Sequence, residues 1–176
     1  MSARWETSPE LAAVMLEPDS QMPFYSSDGI DAEDATRLLK EIPKTRLRDR
    51  WNSSPTVGTF LRSIAAHPQV RGNRPASAGP VTEVGISGVL IDDPELLTLA
   101  PDVELGTMPT FLDECTVEQK TEYYRHLLGC VRESVRRQQW FAVQHRYGID
   151  DALAPPDEID PVPGLGGRLL LHFWWD

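Results

Sequence analysis

The sequence predicts an α+β fold: a helical N-terminal half, a small β-sheet and one long amphipathic helix packed on it. Three observations point there. Capped apolar stripes at helical spacing recur up to about residue 67, the period then changes to strand-like alternation over 81–91, and a long helical run occupies 117–147. At 176 residues and 40% hydrophobic content the chain has the size of one ordinary domain. We therefore expect a single domain over 1–176, with a helical subregion at about 8–67 and an α/β subregion at about 81–176.

The first element follows from Ser8-Pro9-Glu10, a cap and a first-turn proline ahead of Leu11, Val14 and Met15, with Pro18 closing it. Asp31 can cap a second helix. Its first turn carries Glu33 and Asp34, where the helix dipole favours anions, its apolar stripe is Ala35, Leu38, Leu39 and Ile42, and Pro43 ends it. A short basic segment from Lys44 to Trp51 comes next. Ser54-Pro55 then opens a helix with Val57, Phe60, Leu61, Ile64 and Ala65 inward, stopped at His67-Pro68.

Residues 69–80 read as a connector without a pattern, and 81–91 as a strand in which Gly85 and Gly88 allow a bulge or a close backbone approach. Asp92-Asp93-Pro94 is a turn, and the ELLTLA that follows fits either a strand or a helical turn. Thr116-Val117-Glu118-Gln119 matches a capping box, and Gly148 is the matching stop after Tyr147. Between them Tyr124, Leu127, Leu128, Val131, Val135 and Ala142 share an arc expected to face the core. The Pro/Gly-rich segment 154–167 is expected to run extended over the surface. The closing Arg168-Leu-Leu-Leu-His-Phe-Trp-Trp-Asp176 reads as a strand apolar on both faces, hence covered on both or facing a partner.

Charge is distributed unevenly. From Arg37 to Arg74 nine cations stand against Glu41 and Asp49, a local +7, inside a chain of 17 − 27 = −10. Such a segregated field can orient a partner. Helical segments at about 32–42, 44–51 and 55–67 followed by a strand resemble, in element order, a winged helix-turn-helix. That resemblance implies nucleic-acid binding, with Thr59, Arg62, Ser63 and His67 outward on the last helix and Arg46, Arg48, Arg50, Arg71 and Arg74 available for phosphates. The overall acidity argues against a dedicated nucleic-acid binder.

Chemistry-bearing motifs are scarce. His126, Cys130 and Glu133 recur along one side of the long helix without a second ligand-rich segment to close a metal site, so no metal and no cofactor is expected. No GxSxG elbow occurs, and the glycines at 164, 166 and 167 precede a strand rather than a phosphate-binding helix. An enzyme built from spaced residues stays open, and the reading leans away from catalysis.

The opening residues lack a secretory pattern, no apolar run is long enough for a membrane span, and the two cysteines form no framework, so a cytoplasmic chain without membrane contact is expected. The leading function is a non-catalytic interaction protein, such as an inhibitor, immunity-type protein or adaptor, whose partner is an acidic protein or a second copy of the chain. Its expected contact residues are Arg136, Arg137 and Trp140, projecting from the long helix away from the core, and the terminal Trp174 and Trp175.

Overall fold

The structure is a computed structural model, and it describes residues 29–73, 86–102, 112, 114–164 and 167–176. The expected helix around Leu11–Met15, the residues 81–85 of the expected strand and Arg74 lie outside the described residues.

Helix α1 (Ala32–Glu41) begins where Asp31 accepts hydrogen bonds from the backbone N–H groups of Glu33 and Asp34, both at 2.9 Å. It ends at Ile42, ahead of Pro43, as the caps predict. Ala35 and Leu38 are its buried face, and that face packs on α2 (Val57–Ala66). Between them lies a 3-10 turn, Arg46–Arg48. The N-cap of α2 is Thr56, whose hydroxyl accepts from Thr59 N.

Four strands are described, all antiparallel: β1 (Val70–Asn73), β2 (Gly88–Ile91), β3 (Glu158–Pro163) and β4 (Leu169–Trp174), in the order β1-β2-β4-β3. Two of these correct the sequence reading. Val70–Asn73, taken there as the start of a connector, pairs with β2 in the register Val70↔Ile91. Residues 158–163, expected to lie extended on the surface, pair with β4 in the register Ile159↔Phe173. Pro161 and Pro163 are tolerated because β3 is an edge strand, where the missing N–H groups leave no ladder bond unmade. The close approach expected at Gly88 is present: a Cβ on Gly88 would lie 2.2 Å from the Phe173 carbonyl oxygen.

After β2 comes a single helical turn, α3 (Pro94–Leu97), capped by Asp93. The long helix α4 (Val117–Tyr147) packs on the sheet through its second half and has both predicted ends. Thr116 and Gln119 exchange the two capping-box bonds, and Gly148 adopts φ 63°, the left-handed conformation that glycine accommodates best. One core gathers Leu38, Phe60, Leu61, Ile64, Val89, Ile91, Leu96, Val143, Leu171, Phe173 and Trp175, joining both halves of the chain.

Candidate interaction surface

The face that α4 buries differs from the one its whole-length periodicity indicates. Its buried residues are Ser134, Gln139, Trp140, Val143 and Tyr147, all in the second half. Trp140, expected to project outward, is 8% exposed, with its ring centroid 5.4 Å from that of Trp175 and 6.5 Å from that of Phe173. The bulky indole wins the core position because it reaches the aromatic floor of the sheet, where a fully buried aromatic side chain gains most. Trp175, fully buried, donates its Nε1–H to the Ala154 carbonyl at 3.0 Å. Trp174 is half-buried, its ring 5.6 Å from that of His172. As placed, Trp140 and Trp175 are core residues rather than contact surface.

Arg136 and Arg137 stay at the surface and meet the chain's own carboxylates, Asp160 at 3.2 Å and Asp102 at 3.6 Å. Among the described residues the buried side chains of α4 begin at Ser134. Its hydroxyl donates to the Asp102 carboxylate and accepts from Asp102 N at 2.8 Å, and that bond holds the carboxyl of Asp102 below its ordinary pKa.

Before Ser134 the environment changes. From Val117 to Glu133 no side chain of α4 is buried. Val117 is 75%, Tyr124 41% and Leu128 58% exposed, and Leu127 and Val131 are partly so. Val117, Thr121, Tyr124, Leu128, Val131 and Val135 follow one another at intervals of 4, 3, 4, 3 and 4 residues, the heptad spacing of a helix-pairing seam. Thr121 turns its hydroxyl back to the Val117 carbonyl at 2.8 Å, which satisfies the polar group within the helix. Arg125 and Glu122 form an ion pair beside this seam. The arc read from the sequence as core-facing is thus largely an outward apolar stripe.

The basic stretch is occupied with internal contacts. Arg37 pairs with Asp34 and Arg46 with Asp49. Arg50 donates to the carbonyls of Ser54 and Asp151, and Arg62 donates to the Thr59 hydroxyl. Asp151 in turn accepts from Thr56 N and from both the Thr56 and Thr59 hydroxyls at 2.8–3.1 Å, so this group ties 149–154 to the start of α2. Thr59 and Ser63, expected to face outward, are buried, because α2 is enclosed on nearly all sides. Arg48 and Arg71 are exposed. A recognition helix must present its side chains, and α2 presents chiefly Arg62.

One polar hollow of about 560 Å3 is lined by His67, Gln69, Asp92, Asp93, Glu95, Arg146 and Tyr147. Four of its groups, Asp93, Glu95, Arg146 and Tyr147, satisfy one another. The Tyr147 hydroxyl donates to Asp93 at 2.6 Å, and Arg146 bridges Asp93 and Glu95 at 3.0 and 2.9 Å. Burial and this bond push the Tyr147 pKa up to about 12. Burial alone would raise the Asp93 carboxyl, but the hydrogen bonds from Tyr147, Glu95 N and Arg146 hold it below its ordinary value. This arrangement fastens the C-terminal end of α4 to α3. Sequence reasoning had placed a turn at Asp92-Asp93 and had not foreseen its bonds to Arg146 and Tyr147.

His126 Nε2 lies 3.7 Å from Cys130 Sγ at the surface, and among the described residues no three histidine, cysteine or acidic side chains converge as metal ligands would. Among the described residues no helix is long and apolar enough to cross a membrane. No family model, no curated protein and no solved structure matches the chain.

Proposed function

We propose that this chain is a non-catalytic interaction protein that docks through the first half of α4. One observation carries the reading: seventeen residues, from Val117 to Glu133, form helix with no buried side chain yet display a continuous apolar seam. Isolated helices of this length are marginal in water, because helical stability in proteins comes mostly from packing the apolar face. A seam kept in a heptad register has a partner's surface as its natural cover. In the polar hollow Asp93, Glu95, Arg146 and Tyr147 are engaged with one another in fastening α4 to α3, which favours a structural reading of them.

Cys115 and Cys130 form no disulfide, which fits a reducing compartment, and the reading places the protein in the cytoplasm. The test compares the chain with its Leu128→Glu variant in extract of the native cell, by gel filtration. The native chain should elute in a complex larger than the monomer and the variant at the size of the monomer. Identical elution of the two would refute the reading.

A further inference from the structure

We propose that the corner where α1, the 3-10 turn and α2 meet is a docking surface for a short acidic segment of a partner protein. This surface is separate from the first half of α4, so it neither needs nor tests the reading of that helix.

The pairing of the cations carries the argument. Among the described residues after β2, Arg125, Arg136, Arg137, Arg146 and Arg168 each meet a carboxylate, and only Lys120 and Arg132 do not. Around the corner the proportion reverses. Among the described residues Lys40, Lys44 and Arg48 are exposed and make no ion pair or side-chain hydrogen bond, and the exposed Arg62 donates to the neutral Thr59 hydroxyl. Arg46 is paired there, with Asp49. In a chain with 27 acidic against 17 basic residues, carboxylates are the plentiful partner, so these cations do not lack one for want of supply. They are held apart from the acids of their own chain and present unneutralised positive charge to solvent.

Backbone packing brings these groups together and fixes them. Both α1 and the turn pack on α2. Arg46 N and Leu47 N donate to the Pro43 carbonyl at 2.8 and 3.3 Å, and Val57 N donates to the Asp49 carbonyl at 2.8 Å, so the turn is fastened at both ends. Gly58 permits its close approach, since a Cβ there would lie 2.9 Å from the Leu47 carbonyl oxygen and 3.1 Å from Nη1 of Arg62. The Arg62 guanidinium is thereby placed beside the turn that carries Lys44 and Arg48. Cations on a fixed backbone lose less freedom on binding than cations on a loose one, which favours association.

The extent of the surface selects its occupant. Asp151 accepts from the Thr56 hydroxyl at the start of α2 at 2.8 Å, and the exposed Asp150 precedes it, so negative charge bounds the corner on that side. A nucleic-acid duplex carries a charge about every 1.7 Å along its axis and would run past the corner onto the acidic remainder of the chain. Its bases would also find no reader, because Thr59 and Ser63 are buried and α2 presents chiefly Arg62. A short run of aspartate and glutamate side chains places its charge only where it docks. Exposed ion pairs are individually weak, so a dissociation constant on the order of 0.1–1 mM is expected at low salt.

The test titrates the isotope-labelled full chain with decaglutamate at low salt and follows its amide resonances. Shifts should concentrate at residues 40–50 and 58–62 and should fade as added salt screens the charges. Lys44→Glu combined with Arg48→Glu should weaken binding at least about tenfold, whereas Lys120→Glu combined with Arg132→Glu, the same change of net charge placed elsewhere, should weaken it less than about twofold. Far-ultraviolet circular dichroism checks the fold of both double variants, and the shift map of the native chain stands on its own should either fail to fold. No shifts up to several millimolar peptide would overturn the proposal. Shifts centred elsewhere, or equal losses in the two double variants, would overturn the corner as the site. Tighter binding at the same residues of a short DNA duplex of equal charge would overturn the acidic segment and assign the corner to nucleic acid.

Discussion

Acidification should destabilise this protein through one buried histidine before its carboxylates are titrated. His172 is 2% exposed on β4, and its Nε2 lies 2.9 Å from the side-chain nitrogen of Asn73. An amide nitrogen can only donate, so the imidazole accepts at Nε2 and must be unprotonated there. Burial lowers the His172 pKa to about 4, against the charge of Asp160, itself paired with Arg136, which works in the other direction. In the unfolded chain the same side chain titrates near 6.5. Below that pH the unfolded state binds a proton that the folded state refuses, so stability falls as the pH drops from about 6.5 to about 4. The full loss across this window is about 3 kcal/mol, of which about 2 kcal/mol is already present at pH 5. The assay is urea unfolding at pH 7 and pH 5 for the native chain and for His172→Gln. Asp93 and Asp102, whose carboxyls are held below their ordinary values, add their own losses at lower pH and do so in both proteins. The difference between the two proteins therefore isolates His172. If His172→Gln lost as much stability between pH 7 and pH 5 as the native chain, burial of a neutral imidazole would not be the cause.

Two further substitutions probe the packing that positions α4. Gly88→Ala drives a methyl group into the Phe173 carbonyl of the neighbouring strand, where only backbone movement can relieve it, so a loss of about 1–3 kcal/mol is expected in urea unfolding. A variant as stable as the native chain would mean that β2 and β4 do not approach so closely. Trp140→Ala removes a core aromatic between α4 and the Phe173–Trp175 floor and should cost about 3–5 kcal/mol, read as a lowered urea midpoint with near-ultraviolet dichroism lost. Retention of full stability would instead place Trp140 outside the core.

The elements that the sequence revealed are those whose signals are local. Asp31, Thr116 with Gln119, and Gly148 each satisfy or release backbone groups within a few residues of themselves, so the ends of α1 and α4 could be read directly. The two strands that escaped notice lacked such signals. Val70-Arg71-Gly72-Asn73 is four residues long and half polar, and it becomes a strand because β2 offers it a ladder. Glu158–Pro163 carries two prolines, which argue against a strand until its place at the sheet edge is known. Strand order is a non-local property and had no trace in the sequence. The outward face expected of α2 was misplaced for a related reason. Residue types suggested that Thr59 and Ser63 faced water, whereas Asp151, 92 residues from Thr59, supplies that hydroxyl with its partner.

The misplaced face of α4 has a more instructive cause. Amphipathic periodicity reports that a helix face avoids water, and it carries no information about which molecule supplies the cover. Over 31 residues a single average merges two segments with different obligations. The second half must present Trp140, Val143 and Tyr147 to the sheet, on a face rotated away from the seam. The first half holds Tyr124, Leu128 and Val131 in strict heptad register, and because it contributes more apolar positions it dominates the average. Burying both faces within one chain would require the body to wrap the helix on two sides. Among the described residues the buried side chains of α4 begin at Ser134, so the arc that the sequence assigned to an internal core stands largely at the surface.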